Sequence, residues 1–117
     1  MRILFMGTPE FAVPSLRALV SEHEVVGVVT QPDRRAGRGQ RIVFSPVKQA
    51  ALEYGLPIFQ PERINTPEVM DELEALEADL YVVVAFGQKI PDRLLQAPKY
   101  GCVNVHSSLL PKYRGAA

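Results

Sequence analysis

An asparagine and a histidine one residue apart, Asn104 and His106, form the pair with the most chemical capability in this sequence. They end a short Val-containing run, and because side chains alternate between the faces of a strand, both are predicted to lie on one face. An amide N–H can donate to a developing oxyanion, and an imidazole can transfer protons near neutral pH. The pair suits acyl transfer, although a polar strand end that bonds nearby backbone groups explains it equally well.

A second candidate site is the basic segment 31–41, which reads QPDRRAGRGQR and contains little to bury. Its four arginines are Arg34, Arg35, Arg38 and Arg41. A run of charge is usually a solvated surface loop, but guanidinium groups on a flexible loop can also bind phosphates without reading sequence. The segment therefore predicts either a solvated loop or an arm that positions nucleic acid.

Two other motifs are interpreted as structural. The turn that begins at Gly7 has Pro9 and Ala12 where a dinucleotide fingerprint needs glycines, so a nicotinamide-dependent dehydrogenase is a poor interpretation. Gly7 is predicted to permit a tight turn.

Cys102 is the single cysteine and is predicted to be a small core residue. A chain with one cysteine cannot form a multi-cysteine metal site, and the sequence predicts no metal.

These candidates require elements that position them, and apolar runs indicate the strands. Strands are predicted at residues 2–6, 24–30, 80–85 and 102–105, with a weaker one at 57–60. The second and third runs are nearly continuous in apolar character, which is typical of strands covered by helices on both faces.

Helix signals separate these runs. Ser45 followed by Pro46 predicts the start of a helix, which should end at Gly55. Thr66 followed by Pro67 predicts the start of another helix. Further helices are predicted at residues 14–20, after a turn, and at 91–96. The alternation predicts an α/β fold with a doubly wound, mostly parallel, Rossmann-like sheet, whose ligands bind at the carboxyl ends of the strands.

Composition sets the broad class of protein. The chain has 117 residues, 47 % apolar and 22 % charged, which is typical of one globular domain or part of one. Thirteen basic residues balance thirteen acidic ones, so attraction to nucleic acid must be local. A signal peptide and a membrane span are not expected, and the cytoplasm is the predicted location.

The segment 104–115, NVHSSLLPKYRG, closely resembles the signature of the folate-dependent formyltransferases, in which N-x-H-x-S-L-L-P leads to R-G. The opening MRILFMGTPEFAVPSL, and TQPDRRAGRGQR followed by SPVK, resemble the branch of that family that acts on initiator tRNA. The resemblance covers essentially the whole chain. It implies the formyltransferase fold and transfer of a formyl group from 10-formyltetrahydrofolate to the amino group of methionyl-initiator tRNA, in translation initiation.

The resemblance also implies roles for individual residues. Asn104 and His106 would be catalytic, and the four arginines of segment 31–41 would meet the acceptor arm of the tRNA. The folate-binding residues would be Ser108, Leu109, Leu110, Pro111, Phe86, Gly87 and Ile90. The complete protein would be a monomer without metal or membrane contact.

The family pattern continues beyond this chain. Its third catalytic residue, an aspartate, its remaining strands and a C-terminal domain that helps hold tRNA would follow Ala117. Residues 1–117 are therefore interpreted as the amino-terminal part of a formyltransferase catalytic domain, truncated and inactive by itself. Two alternatives stay open: another folate-dependent formyltransferase acting on a sugar or nucleotide amine, and a folate- or RNA-binding fragment without catalysis.

Overall fold

A computed structural model describes residues 1–106 of the chain. The strands in chain order are β1 (Arg2–Gly7), β2 (Glu24–Val29), β3 (Arg34–Ala36), β4 (Arg41–Val43), β5 (Ile58–Phe59), β6 (Leu80–Val84) and β7 (Cys102–Asn104). Five of them form one parallel sheet in the order β5, β2, β1, β6, β7. The predicted parallel α/β sheet is confirmed, and the five predicted strands of that sheet are all present.

The helices begin where local signals place them. They are α1 (Val13–Glu22), which follows a 3-10 turn at Glu10–Ala12, α2 (Pro46–Glu53), α3 (Pro67–Glu74) and α4 (Asp92–Leu95). The Ser45 hydroxyl accepts a hydrogen bond from the Lys48 N–H at 3.0 Å, which caps α2. Thr66 caps α3 in the same way. Side-chain oxygens at these positions satisfy N–H groups that have no partner within the helix.

Two apolar layers cover the two faces of the sheet. Alternate residues of β1 point into different layers: Ile3 and Phe5 pack with α1 and α2, while Leu4 and Met6 pack with α3 and α4. This arrangement makes the sheet doubly wound, as predicted. Fully burying a side chain of this size contributes about 1.5–3 kcal/mol, so the two layers provide most of the stability.

Gly7 has a different role from the predicted tight turn. It is buried at the end of β1 and its φ is not positive. A Cβ atom there would lie 2.7 Å from the carbonyl oxygen of Val84 and 2.9 Å from the ring of Phe5. A glycine is needed because β1 and β6 approach closely, and no unusual backbone angle is involved.

The basic segment is also more ordered than the predicted flexible loop. Strands β3 and β4 pair antiparallel and form a hairpin, here called the basic arm (residues 34–43). Its turn contains Gly37, Gly39 and Gln40, all with positive φ. The glycines adopt these angles at little cost, and Ile42 and Val43 favour a strand. Neighbouring residues therefore explain the hairpin, although the four arginines suggested a solvated loop.

Cys102 is partly buried against the layer formed by α3 and α4, which agrees in part with the predicted core residue. Burial raises the pKa of its thiol, so it stays protonated at neutral pH. Within residues 1–106, no helix is long and apolar enough to cross a membrane.

Candidate functional site

A cavity lies at the carboxyl edge of the sheet, beside β6 and β7. These neighbouring strands pair in parallel, with Val83 opposite Asn104. The cavity has a volume of about 490 Å³ and is lined by Val83, Ala85, Phe86, Gly87, Gln88, Lys89, Ile90, Leu95 and Asn104. Four residues singled out in the sequence, Phe86, Gly87, Ile90 and Asn104, are thus brought to one place.

The segment after β6, here called the cavity rim (residues 85–90), turns sharply away from the sheet. Ala85 has φ 52° and Gly87 has φ 104°, so two positive angles occur within three residues. A left-handed angle costs a non-glycine residue about 1–2 kcal/mol and persists where surrounding contacts hold it. Phe86, between the two, supplies such a contact because its side chain is 2 % exposed and packs in the core.

Side chains from other loops bond the carbonyl groups of the rim. The Thr8 hydroxyl, just after β1, donates to the Phe86 carbonyl at 2.7 Å. The Gln31 side chain, after β2, donates to the Gly87 carbonyl at 3.2 Å. The sequence did not predict that these two residues contact the rim, since their partners lie more than fifty positions away along the chain.

Asn104 and His106 differ in how the fold places them. Asn104 is the last residue of β7 and lines the cavity. His106 is exposed and lies beyond the end of the strand, which stops one residue short of the predicted boundary. Strand alternation therefore does not extend to His106, and its shared face with Asn104 stays a prediction. Ser108, Leu109, Leu110 and Pro111 lie outside the described residues.

The cavity combines apolar walls with polar edges. Ile90 and Leu95 contribute apolar surface, whereas Asn104 contributes an amide and Lys89 a positive charge. Sites for small organic ligands have this character, with a few polar groups that fix orientation. The cavity can therefore bind a flat organic molecule and present an amide to it.

The basic arm distributes its arginines around a hairpin. Arg34 pairs with Val43, and Ala36 pairs with Arg41. Paired residues share a face, so Arg34 and Arg41 lie on one face of the arm, Arg35 on the other and Arg38 in the turn. Guanidinium groups that point in several directions suit the surface of a grooved polyanion better than one small anion.

The arm is attached to the body of the protein at its root. Lys48 of α2 forms an ion pair with Asp33 at 2.9 Å and lies 3.8 Å from the centre of the Phe44 ring. The Gln60 side chain donates to Asp33 at 2.7 Å. These hydrogen bonds, Gln60 first and Lys48 second, lower the pKa of Asp33. Lys48 is thus committed to a contact within the protein.

A smaller cavity of about 230 Å³ lies under the arm. Its lining residues are Thr8, Gln31, Pro32, Arg34, Ala36, Val43, Phe44, Ser45 and Pro46. Thr8 and Gln31 also bond the rim of the larger cavity, so these two side chains stand between the cavities. In the described range 1–106, no three His, Cys, Asp or Glu side chains are grouped to hold a metal ion.

The fold and the site together define a doubly wound α/β protein whose ligand cavity opens at the carboxyl edge of a parallel sheet. The family model described as "Formyl transferase" matches residues 1–117. The chain belongs to the formyl transferase family.

Individual relatives agree with this assignment. The chain is 58 % identical over its whole length to a methionyl-tRNA formyltransferase of Hydrogenovibrio crunogenus, and 57 % identical to that of Clostridium perfringens. It is 60 % identical to that of Methylococcus capsulatus. The chain spans 38 % of the length of each of these three relatives.

A solved structure supports the fold. The glycinamide ribonucleotide transformylase 1 of Geobacillus kaustophilus superimposes with a TM-score of 0.64 at 20 % identity. The superposition covers 98 % of this chain and 62 % of the other. At that identity the similarity establishes a shared fold and leaves the substrate open.

Proposed function

We propose that the complete protein carrying this chain transfers a formyl group from 10-formyltetrahydrofolate to the amino group of methionyl-initiator tRNA, in translation initiation. Residues 1–117 would form the amino-terminal part of its catalytic domain. The observation that carries the proposal is the larger cavity, which places the amide of Asn104 beside Phe86, Gly87 and Ile90. Relatives named methionyl-tRNA formyltransferase support the choice of substrates.

Asn104 and His106 are proposed as the catalytic residues. The amine nitrogen attacks the formyl carbon and forms a tetrahedral intermediate, whose oxyanion accepts a hydrogen bond from the Asn104 amide. The bond between the formyl carbon and N10 of the folate then breaks. His106 takes a proton from the amine and a proton returns to N10, so the product is a formamide and free tetrahydrofolate. No step of this scheme uses a metal.

The folate donor is proposed to bind in the larger cavity. Phe86, Gly87 and Ile90 line it and would form the pocket for the flat pterin ring. The folate would also contact Ser108, Leu109, Leu110 and Pro111. Apolar contact with Ile90 suits a ring face, and polar groups of the rim suit the ring edges. The Phe86 side chain is buried in the core and would support the rim rather than contact the ring.

The tRNA is proposed to contact the basic arm through Arg34, Arg35, Arg38 and Arg41. All six residues of its two strands are exposed, so the guanidinium groups can reach phosphates. Residues 1–117 have no net charge, so within them this attraction must come from a local cluster, and the arm supplies one. We expect the complete protein to act as a monomer in the cytoplasm.

Replacing His106 tests the catalytic assignment. In the complete protein, His106→Ala should lower kcat for formyl transfer by about a hundredfold or more, since general acid–base catalysis contributes about 10²–10⁴-fold. The matched control is His23→Ala, which removes the other histidine, an exposed residue just after α1. Near-normal turnover of His106→Ala, with His23→Ala equally active, would remove His106 from the mechanism.

A comparison of acceptors separates the alternatives. Methionyl-initiator tRNA should be formylated far faster than a sugar amine or a nucleotide amine, because the arm presents four guanidinium groups to a polyanion. Indifference to the tRNA would favour another folate-dependent formyltransferase. Binding of folate or RNA without any formyl transfer by the complete protein would favour a binding role.

A further inference from the structure

Two glutamines, Gln31 and Gln88, form a bridge that holds the cavity rim. The Gln31 side-chain N–H donates to the Gly87 carbonyl at 3.2 Å. The Gln88 side-chain N–H donates to the Gln31 side-chain oxygen at 2.8 Å. Both ends of the Gln31 amide are therefore bonded, which fixes the orientation in which it donates to Gly87. The function proposed above assigns neither glutamine a role.

The bridge is anchored in the core through Gln88. Its side-chain N–H also donates to the Pro61 carbonyl at 3.0 Å, and its side-chain oxygen accepts from the Ile64 N–H at 2.8 Å. Ile64 is 1 % exposed and belongs to the layer that packs on α3. The bridge thus connects the rim to the segment after β5, whose position the core determines.

Thr8 holds the neighbouring peptide group through its bond to the Phe86 carbonyl at 2.7 Å. Two successive rim carbonyls, those of Phe86 and Gly87, are therefore bonded from outside the rim. Peptide groups are planar, and the described chain contains no cis peptide. Fixing these two carbonyls also fixes the directions of the N–H groups of Gly87 and Gln88, which point the opposite way within each peptide plane.

Gly87 makes such external bonds necessary. Its φ of 104° is accessible to glycine, but a glycine also has more backbone freedom than any other residue. A Cβ atom at this position would lie 2.7 Å from the Gln31 side-chain nitrogen, so the bridge and a side chain at position 87 exclude each other. Gly87 allows the positive φ that the rim requires, and the hydrogen bond from Gln31 restricts the backbone freedom of that glycine.

We infer that Gln31, held by Gln88, is a positioning residue that sets the orientation of the rim peptide groups against which the folate donor binds. The inference rests on the proposed function for the identity of the donor. It predicts an effect on donor affinity that leaves acceptor affinity and the chemical step unchanged. The hydrogen bonds of Gln31 and Gln88 are observed in the structure whether or not that function is correct.

Two substitutions of nearly unchanged size test the bridge. Gln31→Glu places a carboxylate against the Gly87 carbonyl and removes the donor, while it still accepts from Gln88. Gln88→Glu removes the donors to Gln31 and Pro61 and keeps the acceptor for Ile64. The matched control is Gln96→Glu, the same chemical change at an exposed residue after α4.

The measurements are amide hydrogen exchange of the segment 85–90 and steady-state kinetics, both on the complete protein. Gln31→Glu and Gln88→Glu should speed exchange of this segment and raise KM for 10-formyltetrahydrofolate about tenfold, the cost of one lost hydrogen bond to an ordered partner. The KM for methionyl-tRNA and kcat should stay within about twofold of the unaltered protein, because only rim order is lost. Gln96→Glu should change none of these quantities.

Other outcomes overturn the inference. Unchanged exchange of the rim in both variants would show that the bridge does not hold it. Faster exchange with an unchanged donor KM would show that the order of the rim does not affect donor binding. Faster exchange with kcat and both KM values altered together would show that the bridge has only a general structural role. If the unaltered protein used no folate donor, the proposed function would be wrong. Amide hydrogen exchange of residues 85–90 would then still test whether Gln31 and Gln88 order the rim.

Discussion

The cavity rim and the basic arm lie at the same edge of the sheet, after strands on either side of β1, yet they are held in opposite ways. The rim has Phe86 in the core, and its carbonyls are bonded by Thr8 and Gln31. The arm has two exposed strands and is attached at its root, where Lys48 meets Asp33. One region is held along its length and the other at its base.

This difference follows from what each region is proposed to bind. Catalysis requires hydrogen-bond donors that are already oriented, because reorganisation during the reaction raises the barrier and lowers the rate. Phosphate contacts position a nucleic acid through long, flexible side chains and tolerate adjustment. A rigid rim beside an adjustable arm is therefore the arrangement expected for small-molecule chemistry on a large acceptor.

The largest contrast is expected between two glycine substitutions. Gly7→Ala introduces a Cβ 2.7 Å from the Val84 backbone oxygen, beneath the rim. Overpacking of this kind costs about 1–3 kcal/mol of unfolding free energy. Gly37→Ala, in the turn of the arm, meets no atom within 4 Å and adds only local strain at φ 73°.

Thermal unfolding of the complete protein measures this contrast. The unfolding midpoint should fall clearly for Gly7→Ala and by less for Gly37→Ala, because the arm is not part of the core and can relieve the strain locally. Equal shifts for the two variants would show that the arm is as firmly integrated into the fold as the sheet edge.

A smaller effect is expected when one guanidinium group is removed from the arm. Arg38→Ala should weaken binding of methionyl-initiator tRNA about three- to tenfold and reduce the slope of log affinity against log salt by roughly one. The KM for the folate donor should not change. The control is Arg17→Ala, which removes an exposed arginine of α1, outside the arm.

The salt dependence decides the outcome of this experiment. Affinity that Arg38→Ala leaves unchanged at every salt concentration would contradict a phosphate contact at the turn. A raised KM for the donor would contradict the independence of arm and rim.

The smallest effect is expected at the root of the arm, and it depends on pH. The pKa of Asp33 is lowered in the folded protein, by Gln60 first and then by Lys48, so its contribution to stability is present above the unfolded pKa of about 4 and is lost as pH falls through the folded value. Asp33→Asn should lower the thermal midpoint by about 1–2 °C at pH 7. The two proteins should converge as pH falls below the folded pKa of Asp33.

Thermal scans from pH 7 to pH 3 test this prediction, with Asp92→Asn, an exposed acid of α4, as the control. A difference between the unaltered protein and Asp33→Asn that does not shrink at all as pH falls would show that the carboxylate charge is not what holds the root.

Local signals in the sequence predicted the main sheet and its helices within one to three residues at most boundaries. Ser45 and Pro46 mark the start of α2 because capping involves only neighbouring residues. The hairpin of the arm was missed since its three-residue strands are defined by pairing with each other. Gly7 was assigned to a turn because the sequence does not show how closely β1 approaches β6.

By itself, the sequence determined the alternation of strands and helices, the capped helix starts and the types of residue available for chemistry, because these depend on periodicity and nearest neighbours. Only the tertiary structure decided that Thr8, Gln31 and Gln88 meet at the rim and that Asn104 lies beside Phe86. These contacts join loops after β1, β2, β6 and β7. Parallel strands bring such loops to one edge whatever their separation along the chain, so packing of the sheet is what creates the cavity.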